Sequence, residues 1–94
     1  MQPCVYILAS KKNGTLYVGV TSDIVKRIWQ HKNDFVESFT KARAVHHLVY
    51  FELHATMESA ISCEKNIKAW KRAWKIELIG KANLKWQDLY ADLL

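Results

Sequence analysis

Residues 4–21 read "CVYILASKKNGTLYVGVT", two runs of β-favouring residues on either side of Lys11-Lys12-Asn13-Gly14. Val, Ile, Thr and Tyr suit a pleated, half-buried surface, and Asn-Gly is the strongest short signal for a hairpin turn. The stretch predicts a strand over residues 4–10, a turn at Asn13 and Gly14, and a second strand over residues 15–21. With a two-residue loop, Lys12 opposes Thr15, Leu8 opposes Gly19 and Tyr6 opposes Thr21; a four-residue loop keeps the same parity. Either way Tyr6 and Tyr17 lie diagonally on one face, and Val5, Ile7, Leu16, Val18 and Val20 make the other, core-like face.

Downstream, Ser22 or Asp23 can cap a helix running to about Lys32, with Ile24, Val25, Ile28 and Trp29 as its apolar stripe. Asp23, Arg27 and His31 flank that stripe at i, i+4 and i+8, stacked along one line of the helix. The polar segment over residues 33–44, with Phe35 and Phe39 in it, reads as a loop that can hold a short helical turn. "HLVYFELH", residues 47–54, predicts a third strand. Thr56 then caps a helix that continues through Glu64 and Trp70 to a terminator at Gly80. Asn83 starts a last short helix whose apolar residues are Trp86, Leu89, Tyr90 and Leu93. The order β-β-α-β-α-α with a hairpin predicts a small α+β domain.

The 94 residues suffice for one domain spanning 1–94, and half of them are apolar, which excludes a disordered chain. A net charge of +5 favours a polyanionic partner, although many basic proteins bind no nucleic acid. Cys4 and Cys63 are isolated and no signal-peptide core follows Met1, so the expected compartment is the cytoplasm. No apolar run approaches the roughly 20 residues of a membrane span.

Glu64 is the awkward residue. At 100° per residue it lies among Met57, Ala60, Ile61 and Ile67, inside the stripe of its own helix. A buried carboxylate without partners costs several kcal/mol, on the order of the cost of an unpaired buried ion, so it should be paired, protonated or bound to a cation. A rim position paired with Lys68 at i+4 is the plain alternative. Tyr6 and Tyr17 can equally be packing aromatics, Arg27 and His31 a solvated polar face, and Asn83 an N-cap. His46 and His47 point to opposite strand faces, and no Cys or His spacing matches a zinc motif, so a metal reading of His46, His47 and His54 is set aside.

Taken in order, Val5-Tyr6, Tyr17-Val18-Gly19, Asp23-Ile24 with Arg27 and His31, then Glu64 and Asn83 resemble the GIY-YIG nuclease superfamily, and within it the small stand-alone bacterial single-domain proteins. The resemblance covers nearly the whole chain, through "LYVGVTSDIVKRIWQH", "HLVYFE", "AISCEKNIKAWKR" and "ANLKWQDL". It implies a three-stranded antiparallel sheet flanked by helices, and a divalent-metal-dependent endonuclease that nicks or cleaves DNA, in repair or recombination. By position it implies Tyr6, Tyr17, Arg27, His31, Glu64 and Asn83 as catalytic residues, with Glu64 holding one Mg²⁺ or Mn²⁺. Arg27 would grip the phosphate, and Tyr17, helped by Tyr6 or His31, would activate water.

The sequence departs from the family pattern at Cys4 for glycine, Val20 for lysine, Arg43 for tyrosine and Leu84 for proline. The expected partner is nucleic acid, DNA in preference to RNA, tracked by Lys41, Arg43, Lys65, Lys68, Lys71, Arg72 and Lys75. No membrane and no small-molecule cofactor are expected, and the protein should be a monomer or weak dimer. The competing expectation is a catalytically weak binding module of the same fold that recognises DNA or RNA structure.

Overall fold

The computed structural model describes residues 2–35 and 41–94. Strands β1 (Cys4–Ala9), β2 (Leu16–Thr21) and β3 (His47–Leu53) form one antiparallel sheet in the order β2-β1-β3. Helix α1 (Ile24–Lys32) follows the hairpin, and α2 (Met57–Ala69), α3 (Arg72–Ala82) and α4 (Tyr90–Leu93) follow β3. The expected fold class and order hold, with one helix divided in two. No helix among the described residues is long and apolar enough to cross a membrane.

The hairpin register is two residues from the one a two-residue loop would give: Tyr6 opposes Gly19 and Leu8 opposes Tyr17. Residues 11–14 form a four-residue loop closed by the Ser10 N–H donating to the Thr15 carbonyl at 3.0 Å. Asn13, not Gly14, takes the left-handed conformation, at φ 59°. Gly14 is needed for space, since a Cβ there would lie 2.3 Å from Ser10 Oγ. The Thr15 N–H also donates to Ser10 Oγ at 3.0 Å, so the loop is fixed by its own side chain.

Because β1 is central, both of its faces are covered and all six of its residues are buried. Val5, Ile7 and Ala9 pack with Val18, Ala60 and Ile67 on one face, as the alternation predicts. Tyr6 and Leu8 pack with Ile28, Val45 and Leu48 on the other. The expected stripe of α1 is corrected here: Val25 is 36 % and Trp29 48 % exposed, while Ile28 and His31 are buried. The inward line is Ile24, Arg27, Ile28 and His31, the i, i+3, i+4, i+7 pattern that the flanking polar residues had concealed. Trp29 instead stacks on Phe35 at the surface. Asp23 caps α1 by accepting from the Lys26 N–H.

Opposite Ile7 and Leu8, β3 carries a bulge, with Tyr50 and Leu48 as their partners and Val49 unpaired. A bulge leaves backbone groups without ladder partners. The Val49 carbonyl accepts from Asn83 Nδ2 at 3.1 Å, the Leu48 N–H donates to Asp88 Oδ1 at 3.2 Å, and the Leu48 carbonyl accepts from the Leu89 N–H at 2.7 Å. The C-terminal segment thereby covers part of the outer edge of β3. Lys32 pairs with the other Asp88 oxygen. Burial alone would raise the Asp88 carboxyl, but Lys32 and the N–H groups of Tyr90 and Leu48 hold it below the usual carboxylate range.

The helix expected to run from Met57 past Trp70 breaks at Trp70 and Lys71, both extended at ψ 153° and 148°. Gly80 lies inside α3 and terminates nothing. The last helix is only Tyr90–Leu93, so Trp86 reaches the core from a turn, at φ 55°. The loop expected over residues 33–44 falls partly outside the described residues, Phe39 included; Lys41 and Arg43 are exposed.

Restarting the helix at Arg72 lets its guanidinium donate from Nη2 to the carbonyls of Asn13 at 2.7 Å and Gly14 at 2.6 Å. This clasp ties α3 to the hairpin loop. Arg72→Ala should lower stability by about 1 kcal/mol, read as a fall of about 4–8 °C in the midpoint of thermal unfolding by circular dichroism. An unchanged midpoint would show that the clasp contributes nothing.

Candidate active site

Tyr6, Tyr17 and His31 meet on the α1 side of the sheet. Tyr6 comes from the central strand, Tyr17 from the neighbouring edge strand one diagonal away, and His31 from the last turn of α1. The phenol of Tyr6 is hydrogen-bonded to His31 Nε2 at 3.0 Å with both residues buried. The rings of Tyr17 and His31 are 5.3 Å apart, and those of Tyr6 and Tyr17 6.4 Å. Gly19 makes room for this group, since a Cβ there would stand 2.4 Å from Cζ and Oη of Tyr6.

A buried phenol bonded to a buried imidazole is a proton-sharing pair whose direction follows the imidazole tautomer. One turn earlier, Arg27 is partly buried and lines a polar pocket of about 220 Å³ with Thr21, Ser22, Asp23, Lys26 and Gln30. No hydrogen bond or ion pair among the described residues occupies its guanidinium. A fork of donors on a concave, solvent-facing wall is suited to phosphate oxygens.

Glu64 is 9 % exposed and lies between the buried Ala60 and Ile67 on α2, so it does sit inside the stripe. It also pairs with Lys68, whose Nζ stands 2.7 Å from Oε2. Helix α2 packs on β1 and β2 from the face opposite α1. Glu64 and the tyrosine cluster are thus carried by elements on different faces of the sheet.

Asn83 closes α3 instead of starting the next helix, a correction to its reading as an N-cap. Its Nδ2 donates to the carbonyls of Val49 and Gln87, and its Oδ1 accepts from the Gln87 N–H at 3.1 Å. The amide is thus engaged with backbone on both sides, which gives it a structural task at the bulge.

Several of the seven basic residues expected on a nucleic acid already make contacts within the chain, Arg43 among them. Arg72 holds the hairpin loop, Lys68 holds Glu64, and Lys75 Nζ donates to the Lys68 carbonyl at 3.3 Å. Lys65 and Lys71 are exposed on α2 and at the helix break, the latter 5.9 Å from the Trp74 ring centre. Lys41 and Arg43 stand on the surface before β3.

One group escaped the sequence reading. Tyr50, Glu52 and His54 follow one another at i, i+2, i+4 along the end of β3, and Cys63 of α2 faces them. The Cys63 thiol donates to Glu52 Oε1 at 2.6 Å and the Tyr50 hydroxyl to Oε2 at 3.1 Å. Donor atoms of Glu52, His54 and Cys63 all lie within 4.8 Å of one another. His54, set aside above on sequence spacing, thus stands in a group of donor atoms close enough to hold an ion, because strand alternation placed it beside Glu52 and a residue nine positions on completed the group. Burial pushes the Cys63 thiol up to about 12, and the Glu52 charge adds to it. Burial would raise Glu52 too, but the Cys63 thiol, His54 and the Tyr50 hydroxyl together hold it below its ordinary value. His46, by contrast, is 2.8 Å from Asp34, and His47 is exposed.

Comparison with known proteins places these features in context. The family model described as the GIY-YIG catalytic domain matches residues 2–77, which includes every residue above except Asn83 and the segment beyond it. UPF0213 protein SSP2268 of Staphylococcus saprophyticus is 39 % identical over 82 % of this chain and 93 % of its own length. UPF0213 protein CPE1444 of Clostridium perfringens is 38 % identical over 95 % of each. Among solved structures, the solution NMR structure of the UPF0213 protein BH0048 from Bacillus halodurans is similar at TM-score 0.53 and 31 % identity, over 85 % of this chain and 84 % of that one.

Proposed function

The chain belongs to the GIY-YIG family, and from that premise we propose that it is a divalent-metal-dependent endonuclease that nicks or cleaves DNA by phosphodiester hydrolysis. The observation that carries this reading is the buried hydrogen bond between Tyr6 and His31 with Tyr17 packed against both, assembled from three separate elements. A core that only packed would be served by apolar side chains at these positions, whereas here two polar rings are kept inside the fold and matched to each other.

In this reading the Arg27 guanidinium binds two non-bridging oxygens of the scissile phosphate and offsets the charge that builds there. Tyr17 takes a proton from the attacking water, and the Tyr6–His31 pair orients Tyr17 and shares that proton. Glu64 fits a hard cation: no hydrogen bond among the described residues reaches Oε1, while Lys68 holds Oε2. A Mg²⁺ or Mn²⁺ ion at that carboxylate, completed by waters, would stabilise the leaving oxygen. Asn83 supports the site from the bulge of β3. Lys41, Arg43, Lys65 and Lys71 supply phosphate contacts without base recognition.

The test is supercoiled plasmid and branched DNA incubated with purified protein in Mg²⁺, in Mn²⁺ and in EDTA, beside Arg27→Ala. Metal-dependent relaxation of the plasmid is expected, reduced about 10²-fold or more in the variant. Equal products with EDTA, or equal cutting by Arg27→Ala, would refute the assignment. Binding without any cutting would leave the chain a nucleic-acid-binding module of the same fold.

A further inference from the structure

We propose that Glu52, His54 and Cys63 form a second metal site, one that takes Zn²⁺ and not the hard cation assigned to Glu64. Thiolate, imidazole and carboxylate together are a zinc donor set, whereas Mg²⁺ takes oxygen donors. Three protein ligands with a fourth position left to solvent is the arrangement of an open zinc centre.

Two observations beyond proximity support the site. First, His54 Nδ1 stands 2.7 Å from Ser59 Oγ, and in the tautomer with the proton on Nδ1 this is the kind of outer contact that orients a ligand imidazole and leaves its other nitrogen to a metal. That nitrogen, Nε2, is buried and has no hydrogen-bond partner among the described residues, yet it lies 3.3 Å from Glu52 Oε1. With the proton on Nδ1, the Nε2 lone pair is turned toward the same carboxylate oxygen that Cys63 approaches, and a cation between them would serve all three donors. Secondly, the Tyr50 hydroxyl holds Glu52 Oε2 and leaves Oε1 as the atom that both Cys63 Sγ and His54 Nε2 approach. Each ligand is thus positioned by its strand or helix, and two have their own outer partner.

Tetrahedral zinc needs donors about 3.3–3.6 Å apart. The pair of Glu52 Oε1 and His54 Nε2 already meets this, and the whole set, within 4.8 Å, needs side-chain adjustments of about an ångström. Binding replaces the Sγ–H···O bond with an Sγ–Zn bond, and the thiol proton leaves to solvent. The fourth position opens on a pocket of about 410 Å³ bordered by Ser62, Asn66, Trp70 and Leu78, wide enough for water or a small anion. Cys63 precedes Glu64 on α2, but a step of about 100° turns the two side chains apart. This site therefore stands or falls independently of the nuclease reading.

Tag-free protein stripped with a chelator should be titrated with Co²⁺ as a spectroscopic substitute for zinc. One equivalent should produce a thiolate-to-cobalt band in the near ultraviolet and tetrahedral ligand-field bands in the visible, both bleached by Zn²⁺, with proton release seen in weakly buffered solution. Cys63→Ser and His54→Ala should abolish the bands, and Ser59→Ala should weaken binding about 10-fold or more. Cys4→Ser and Glu64→Gln should leave them intact. A wild-type protein without the thiolate band overturns the proposal, as does a band that survives Cys63→Ser or vanishes in Glu64→Gln.

Discussion

Glu64→Gln should cut the metal-supported nicking rate by about 10²–10³-fold or more while changing stability by no more than about 1 kcal/mol. The two expectations differ because the substitution keeps the side chain's shape between Ala60 and Ile67 and removes only its charge. The carboxylate is 9 % exposed, and the Lys68 side chain that answers it is 52 % exposed. A pair of this kind gives little net stabilisation, since desolvation offsets most of the Coulombic attraction. A structural carboxylate would behave in the opposite way, with stability falling and cutting following only in proportion to the unfolded fraction. Plasmid relaxation and thermal melts on the same preparations separate the outcomes. Undiminished cutting by Glu64→Gln would remove Glu64 from the metal site.

The second large effect is on the sheet. Gly19→Ala should destabilise the protein by about 2–3 kcal/mol, a fall of about 10–20 °C in melting temperature. Its Cβ would meet Cζ and Oη of Tyr6 at 2.4 Å and Cε1 at 2.9 Å. Tyr6 is wholly buried and bonded to His31, so its ring has no open direction in which to move. The substitution either strains the strand pairing or drives the phenol off the imidazole, and both outcomes also remove nicking in the proposed mechanism. Tyr6→Leu in the Gly19→Ala background removes the opposing ring atoms and should recover part of the loss, a coupling that a double-mutant cycle measures. A melting temperature unchanged by Gly19→Ala would contradict the placement of the Tyr6 ring.

The sequence carried the hairpin, α1, β3, the start of α2 and the burial of Glu64, because each rests on a local period or cap. Asp23 and Thr56 do cap the helices they precede. The hairpin register was out of reach because it depends on Ser10 Oγ binding the Thr15 N–H, a contact that Asn-Gly does not encode. His31 looked like part of a polar flank, and the Tyr6 phenol across from it, a tertiary contact, helps to make its burial tolerable. The break at Trp70 has no proline or glycine to announce it, and its benefit, the Arg72 clasp, lies nearly sixty residues away in sequence. The same holds for Cys63, whose partners on β3 are joined to it by tertiary folding alone.

The bulge of β3 and the segment that covers it also fix where this folding unit ends. The family match stops at residue 77, within α3. A chain cut there would leave the Val49 carbonyl and both backbone groups of Leu48 without Asn83, Asp88 and Leu89, and it would strip Trp86 from the core. The cooperative boundary therefore lies beyond the residues that match the family model, and a minimal autonomous fragment has to retain the turn from Asn83 to Leu89.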